Sequence, residues 1–399
     1  MPIQNTINVI LCTILLFSFN VMATTTPTKL RIATFNVSME ALNYIEKGAG
    51  ANVNGNELLN ALNSNHQQIK NIAEIIQRVN PDILLLNEFD FVEQDQKNHQ
   101  AIELFINDYL AKSQQGQKAI HFPYYYQNSV NTGVKTPIDL NNDGAIKHPV
   151  DTYGFGYFPG HFGMVLLSKY PLDKENIRTF QHFKWQDMPN ALQPIDPESG
   201  KPWYSKQAWQ ILRLSSKSHW DIPVIIGEQK IHILASHPTP PVFDGPEDRN
   251  GKRNHDEIRF WHDYITADLS DYIYDDNKVS GGIKDDKPFI IMGDQNSSAT
   301  EGDALRGAIN SLITHKKIQD PLPTSLGGQE HSPDNPIAKH HSAYWRMRAD
   351  YVLPSKAGFN ILNSGVFWPT TDSNEYRLIA DRSASSDHRL VWLDVELSK

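Results

Sequence analysis

Carboxylate, amide and imidazole side chains stand at the ends of short apolar runs at several separate places in this chain. Such runs are typical of buried β-strands, and strand ends can gather polar groups from distant sequence into one cleft. Together these groups could hold a hard cation, position water and move protons, which is the chemistry that cleaves phosphate esters. The candidates are Asn36, Glu88, His237, Asp294, Asn296, Asp350, Asp387 and His388.

Asn36 and Glu88 are candidates for binding a divalent cation, because each follows an apolar run. A carboxylate at the end of a buried strand is unfavourable unless it is paired or bound to metal. Mg²⁺ typically takes one or two protein carboxylates and leaves its other positions to water and phosphate. Other interpretations stay open, since Asn36 could cap a turn and Glu88 could be a surface residue. Asp90 is a competing carboxylate two residues further on.

His237 and Asp294 are candidates for handling protons. His237 ends the run 231–236, and Pro238 stiffens the chain after it, so a rigidly held ring could transfer a proton or donate to a phosphate. Asp294 could orient or deprotonate water, while Asn296, two residues on, could steady the phosphate. The alternatives are a histidine in a turn and a turn rich in Asp and Asn.

Asp387 and His388 stand side by side before the last apolar run. A carboxylate next to an imidazole suits metal binding combined with proton transfer or phosphate stabilisation. Asp350 could hold His388 in one tautomer, as orienting carboxylates do. The alternative for Asp350 is an ion pair with Arg346 or Arg348.

The hydrophobic pattern predicts the elements that must position these groups. Strands dominate, with a few helices between them, which indicates two sheets packed face to face with helices outside, an α/β sandwich. Helical spacing predicts helices over 69–79, 102–110 and 258–273. Strands are predicted at 30–37, 82–86, 121–126, 163–168, 222–226, 230–236, 289–292, 351–353 and 390–397.

The size and charge of the chain limit its organisation and its partners. Its 399 residues, 39% hydrophobic, can bury a large core, and we expect one domain over 24–399 rather than two. The stretches 127–160, 186–218 and 320–342 are expected to be long surface insertions that shape the cleft. A net charge of -9 excludes a wholesale basic coat for nucleic acid, although it allows a local cationic cleft.

The N-terminus is typical of a secretory signal peptide, residues 1–23, and predicts a secreted or periplasmic protein. An apolar stretch over 7–16 precedes the small residues Val21-Met22-Ala23. The alternative, an uncleaved membrane anchor, would need a span of about 20 apolar residues. Cys12 is the single cysteine, so the mature chain would lack thiolate catalysis and zinc–thiolate sites. No later segment predicts membrane insertion, and no protein partner is inferred.

With these motifs in this order, the sequence resembles the endonuclease/exonuclease/phosphatase superfamily from Arg31 to Leu397. The resemblance implies the deoxyribonuclease-I-like fold, a four-layer α/β sandwich with two packed, mostly antiparallel sheets and outer helices. It also implies a metal-dependent phosphoric ester hydrolase that uses Mg²⁺ or Mn²⁺.

The resemblance further implies a role for each candidate residue. Asn36, Glu88 and Asp387 match the metal-binding positions of the family. Asp294 and Asn296 match the pair that orients the attacking water and the phosphate. His388 matches the closing histidine, which Asp350 supports, and His237 matches a strand-end histidine that acts as general acid or phosphate ligand.

The expected activity is hydrolysis of a phosphodiester by in-line attack of water, as an extracellular nuclease acting on DNA or RNA. One alternative is a phosphatase or phosphodiesterase acting on a small molecule or a lipid headgroup. Another is a non-catalytic binding protein on the same fold. Steep salt dependence of substrate binding would favour nucleic acid.

Two further segments suggest binding sites. In the polar loop 238–254, Arg249 and Arg253 could clamp a second phosphate or an anionic headgroup, or the loop could pair its own acids. The spacing of Asp139, Asn141 and Asp143 is that of the first half of a Ca²⁺ loop, but Val150 stands where a bidentate Glu is expected. The alternative there is an Asx-rich turn.

Overall fold

The computed structural model describes residues 28–46, 52–92, 99–284 and 287–398. The predicted signal peptide, residues 1–23, lies outside the described residues, so secretion stays a prediction. Among the described helices none is long and apolar enough to cross a membrane. The expectation of a single domain over 24–399 likewise stays a prediction.

The described residues form two mixed β-sheets. The strands are β1 (Lys29–Met39), β2 (Ile83–Phe89), β3 (Tyr124–Tyr126), β4 (Met164–Ser168), β5 (Arg178–Thr179), β6 (His219–Ile226), β7 (Gln229–Ser236), β8 (Phe289–Asp294), β9 (Asp350–Pro354), β10 (Phe359–Val366) and β11 (Val391–Leu397). The first sheet has the order β10-β11-β1-β2-β4-β3 and the second the order β5-β6-β7-β8-β9. Neighbouring strands are antiparallel except for the β1–β2 and β7–β8 pairs, which are parallel.

Helices cover the outer face of each sheet. The helices are α1 (Asn56–Asn63), α2 (Gln67–Val79), α3 (Gln100–Leu104, continued by a π-helix at Phe105–Leu110), α4 (Lys206–Ile211), α5 (Arg249–Tyr264), α6 (Gly307–Ile313) and α7 (Leu326–His331). One core cluster joins α1, α2 and α3 with the first sheet and also fills the space between the two sheets, where Trp220 and Met292 contribute. A second cluster joins α5 and α6 to the other face of the second sheet. The predicted four-layer α/β sandwich is therefore confirmed.

The sequence pattern misplaced the helix before the last third of the chain. It predicted 258–273, whereas α5 occupies Arg249–Tyr264. The first half of α5 is polar, yet its residues Asn254, Asp256 and Glu257 are buried and hydrogen-bonded. Because hydrophobic periodicity counts such residues as solvated, it could not reveal this part of the helix.

The two parallel pairs explain why distant polar groups meet. Strands β1 and β2 run in register, with Asn36 opposite Asn87, and β7 and β8 run in register, with Ala235 opposite Met292. The packed sheets bring β1 and β2 into contact with β8. The carboxyl ends of all four strands therefore open on one cleft.

Candidate active site

The strand ends that line the cleft have an unusual backbone. Ser38, Glu88 and Asn296 have positive φ angles of 46°, 55° and 50°, and the β1–β2 register shifts after Asn36. Bulges and strained residues of this kind redirect side chains and are common beside active sites. At Gly293, with φ 139°, a Cβ would lie 2.0 Å from the Ser236 carbonyl oxygen, so only glycine lets β7 and β8 approach here.

Asp294 lies at the centre of the site. Its Oδ2 accepts hydrogen bonds from the side-chain amides of Asn36 at 3.1 Å and Asn296 at 3.3 Å. The Nε2 atoms of His237 and His388 lie 3.3 and 3.5 Å from the same oxygen. Although burial opposes its charge, His388 and His237 lower the pKa of Asp294. The structure thus fixes an ionised carboxylate among four neighbours that the sequence had predicted.

His388 connects the two sheets through a short chain of hydrogen bonds. Its Nδ1 lies 3.0 Å from Asp350 Oδ2, which also accepts a hydrogen bond from Ser342 Oγ at 2.7 Å. Burial works against a charge on His388, but Asp350 and Asp294 overcome it and raise its pKa to about 10. At neutral pH the ring is an imidazolium that can donate a hydrogen bond. Arg348 pairs instead with Asp320, which favours an orienting role for Asp350.

His237 differs sharply from His388 in its protonation. Burial, and then the charge of Lys217, lower the pKa of His237 to about 4, so its ring is neutral at pH 7. Its Nε2 faces Asp294, whereas its buried Nδ1 has no hydrogen-bond partner among the described residues. A neutral ring that donates through Nε2 keeps Nδ1 free as an acceptor.

Glu88, Asp387 and Asn36 form the acidic side of the cleft. Burial raises the pKa of Glu88 to about 7, and the negative charge of Asp387 adds to the rise, while His388 and Asn36 oppose it. Ser38 links this group, because its N–H donates to Asn36 Oδ1 at 3.2 Å and its hydroxyl to Asp387 Oδ1 at 3.4 Å. Two repelling carboxylates beside an amide oxygen form a hard-oxygen donor set that fits a divalent cation.

A second group could also bind a metal ion. Ligand atoms of Asp294, Asp350 and His388 lie within 4.8 Å of one another, and the three are buried. Within the described ranges this is the one such cluster of His, Cys, Asp or Glu. In this cluster the Nδ1 atom of His388 is already hydrogen-bonded to Asp350, and its Nε2 atom faces Asp294. The protonated His388 makes this cluster the less suitable cation site.

Asp90, the competing carboxylate, supports the backbone behind the site. Its oxygens accept hydrogen bonds from the N–H groups of Ala41 at 2.7 Å and Phe162 at 2.8 Å. Burial raises the pKa of Asp90 to about 7. These contacts use both oxygens, so the geometry favours Glu88 as the residue that faces the cleft.

Arg249 and Arg253 are engaged in contacts outside the group centred on Asp294. Arg253 donates to the carbonyl oxygens of Leu214 at 2.8 Å and Tyr153 at 2.6 Å. Arg249 pairs with Glu247 of its own loop. The contacts favour the alternative interpretation, in which the loop satisfies its own groups, and the phosphate clamp stays a prediction.

The Ca²⁺-like loop is also occupied by its own hydrogen bonds. Asp139 Oδ2 accepts from the Gly144 N–H at 2.8 Å, and Asp143 Oδ1 accepts from the Ala145 N–H at 3.0 Å. Lys147 pairs with Asp143 at 3.0 Å. These contacts favour an Asx-rich turn, and Ca²⁺ binding at Asp139, Asn141 and Asp143 stays a prediction.

Sequence reasoning missed two residues at the cleft. Lys217 is buried, and its charge acts on Glu88, Asp294 and His237. Trp345 is 45% exposed, with its ring centroid 4.8 Å from that of His388. Lys217 lies five residues before the predicted strand 222–226, so the predicted hairpin did not single it out.

The chain matches the model of the Endonuclease/Exonuclease/phosphatase family over residues 33–388. It therefore belongs to that family, whose members are metal-dependent phosphoric ester hydrolases, and the resemblance drawn from the motifs is confirmed. The protein is thus an enzyme of the phosphoesterase class. A search of curated proteins finds no significant sequence match.

Several solved structures are similar to this chain at low sequence identity. An endonuclease/exonuclease/phosphatase from Beutenbergia cavernae DSM 12333 is 17% identical with a TM-score of 0.50, covering 93% of this chain and 72% of that one. The human Nocturnin catalytic domain with bound sulfate anion is 12% identical with a TM-score of 0.45, covering 93% and 95%. A family protein from Leptotrichia buccalis C-1013-b is 14% identical with a TM-score of 0.44, covering 93% and 100%.

Proposed function

We propose that this enzyme is a secreted, Mg²⁺-dependent nuclease that hydrolyses phosphodiesters by in-line attack of water. The observation that carries the chemistry is the division of the cleft. The mutually repelling carboxylates of Glu88 and Asp387 face a hydrogen-bonded group centred on the ionised Asp294. Asn36, Glu88 and Asp387 would hold the cation, which would neutralise a nonbridging oxygen and the departing oxygen of the phosphate. Mn²⁺ would fit the same oxygen ligands.

The remaining residues act on water and phosphate. Asp294 orients the attacking water, since its position is fixed by four neighbouring side chains and it stays ionised at neutral pH. His388, as an imidazolium, stabilises negative charge that develops on the phosphate. His237 offers a free Nδ1 as acceptor for a water or hydroxyl hydrogen, and Asn296 steadies the phosphate.

An exposed aromatic tip beside the site supports nucleic acid as the substrate. Tyr344 and Trp345 are 53% and 45% exposed, and the Tyr344 N–H donates to the Asp387 carbonyl at 2.8 Å. Exposed aromatic rings near a phosphate site can stack with unpaired bases, an interaction that stabilises each base by about 1–3 kcal/mol. Arg346, also exposed, adds a positive charge at the same tip.

The testing experiment compares a polymeric and a small phosphodiester. The purified protein is expected to nick supercoiled plasmid and to hydrolyse bis(p-nitrophenyl) phosphate with Mg²⁺ but not with EDTA, and His388→Ala should lose both activities. Tyr344→Ala, whose ring contacts His331 rather than His388, should weaken plasmid cleavage about tenfold through lost stacking and leave hydrolysis of the small ester unaffected. Hydrolysis of the small ester without nicking would contradict a nuclease and favour a small-molecule or lipid-headgroup substrate. Absence of both activities would contradict phosphodiesterase function.

A further inference from the structure

Lys217 carries a buried ammonium group without a direct partner. The residue is 5% exposed, and among the described residues its side chain has no hydrogen bond or ion pair. Its backbone carbonyl accepts a hydrogen bond from the Asn131 N–H at 2.9 Å. Burial lowers the pKa of Lys217, while the negative charges of Glu257, Glu88 and Asp294 favour its charged form. A buried charge without a hydrogen bond is strongly unfavourable, so this position calls for a functional explanation.

The strand register places Lys217 beside His237. Strands β6 and β7 are antiparallel with His219 opposite Ser236. Lys217 precedes His219 by two residues and His237 follows Ser236, so both leave the sheet at the edge that carries the cleft. The positive charge of Lys217 acts on Glu88 and Asp294, and it contributes to the lowered pKa of His237.

Buried hydrogen bonds fix the segment that holds Lys217. Glu257, itself fully buried, accepts from the Ser216 N–H and from the Thr239 N–H, both at 2.6 Å. It thereby ties the residue before Lys217 to the chain that follows His237. Asn131 adds a bond from its side-chain amide to the Ser215 carbonyl at 2.8 Å. The ammonium is thus carried by a rigid frame rather than by a surface loop.

The groups around Lys217 indicate which kind of hydrogen-bond acceptor its ammonium lacks. Glu257 uses both carboxylate oxygens on backbone N–H groups, and Asp294 is occupied by four side chains. Neither carboxylate makes a direct contact with Lys217, although both attract it at longer range. A phosphate entering the cleft would bring the acceptor oxygens that the ammonium lacks.

We propose that Lys217 is a phosphate-binding residue of this cleft, donating a hydrogen bond from Nζ to a nonbridging oxygen of the substrate phosphate. This inference rests on the proposed phosphodiesterase function for the identity of the substrate. It adds a fixed cation on the His237 side of the cleft, opposite in role to the acidic group of Glu88 and Asp387. The rival explanation is a purely structural counter-charge for Glu257.

The test measures binding of inorganic phosphate by isothermal titration calorimetry, which does not depend on turnover. Lys217→Met keeps the length and the apolar stem of the side chain and removes its charge. We expect phosphate affinity and kcat/KM for bis(p-nitrophenyl) phosphate each to fall about 100-fold, with the melting temperature preserved. The matched control is Lys230→Met, at the other end of the same hairpin, where the half-exposed lysine pairs with Asp173. It should leave both quantities unchanged.

The outcomes separate this inference from the proposed function. Phosphate binding that depends on Lys217 in a protein without phosphodiesterase activity would support the ligand role while contradicting the proposed function. Phosphate affinity and turnover like those of the wild type in a folded Lys217→Met would overturn the ligand role. If Lys217→Met does not fold, Lys217→Gln provides the same comparison, and wild-type phosphate affinity in that variant would likewise overturn it.

Discussion

The two halves of the cleft differ in how their charged groups are arranged. On the first sheet, Glu88 and Asp387 repel each other, and burial with this repulsion raises the pKa of Glu88 to about 7. On the second sheet, Asp294 accepts bonds from several neighbours, and its pKa is lowered. The first half is therefore arranged to receive a positive ion, whereas the second is already organised to act on water and phosphate. The arrangement of the side chains thus separates the groups that would bind a ligand from the groups that position one another.

Asp294→Asn should produce the largest effect, because it removes the carboxylate at the centre of the hydrogen-bonded half of the cleft. An amide at this position would turn a hydrogen-bond donor toward neighbours that are themselves donors. We expect kcat on bis(p-nitrophenyl) phosphate to fall about 1,000-fold or more, while the circular dichroism spectrum is preserved. Asp173→Asn, which removes a surface ion pair with Lys230, is the control and should keep its activity. Nearly normal turnover in Asp294→Asn would remove this residue from the mechanism.

Glu88→Gln should weaken binding of the cation and leave the hydrogen-bonded half around Asp294 intact. Removing one of the two carboxylates is expected to raise the Mg²⁺ concentration for half-maximal activity about 100-fold. The measurement is a Mg²⁺ titration of bis(p-nitrophenyl) phosphate hydrolysis by Glu88→Gln, compared with the same titration of the wild type and of the surface control Asp173→Asn. An unchanged Mg²⁺ requirement would mean that the cation binds elsewhere.

The pH dependence of the free energy of unfolding tests the acidic half of the cleft without any substrate. The pKa of Glu88 rises from 4.5 to about 7 on folding, so its protonated form favours the folded state. That contribution is fully present below pH 4.5 and is lost as the pH rises through about 7. In the metal-free protein we expect a loss of about 2 kcal/mol of unfolding free energy, discounted because Glu88 is partly exposed.

Chemical denaturation between pH 4.5 and 8, in EDTA, measures this loss. Glu88→Gln should show a smaller decline than the wild type, since it lacks the titrating group. With saturating Mg²⁺ the wild type should instead show the smaller decline in unfolding free energy up to pH 8, because the cation favours the ionised carboxylate. Parallel pH profiles for wild type and Glu88→Gln would contradict the assignment of this raised pKa.

Arg249→Ala should have the smallest effect on activity and tests the phosphate clamp. Because Arg249 pairs with the buried Glu247, its loss is expected to destabilise the fold by about 2 kcal/mol. Activity at a permissive temperature should stay within about threefold of wild type. If Arg249 clamps a phosphate, Arg249→Ala would instead lose much of its kcat/KM with unchanged stability. Steady-state kinetics and thermal melts distinguish these two outcomes.

Strand-end chemistry was the part of the site that could be predicted from the sequence. Asn36, Glu88 and Asp294 follow or end apolar runs, and the parallel pairs bring those ends together. The position of the apolar runs was enough to predict these residues, because a buried strand leaves few places for a polar side chain except its end. The family resemblance then placed the fold correctly.

Buried polar residues away from strand ends could not be predicted in the same way. Lys217 lies in the stretch Ser215 to Ser218, whose composition is typical of an exposed loop, yet this stretch is buried. Glu257 stands on the polar side of a helix pattern, and its burial depends on backbone N–H groups of two distant segments. Strand β10 also escaped prediction, because Asn360, Asn363 and Ser364 interrupt its apolar pattern. Each depends on tertiary partners that local sequence does not specify.

The most direct test of the division between the two halves is to locate the cation itself. Anomalous diffraction from crystals of the full protein soaked in Mn²⁺ would reveal its ligands. We expect a peak coordinated by oxygens of Asn36, Glu88 and Asp387, with the hydrogen bond between His388 and Asp350 intact. A peak bound by Asp294, Asp350 and His388 instead would contradict this account, because the half assigned to water and phosphate would then be the metal site.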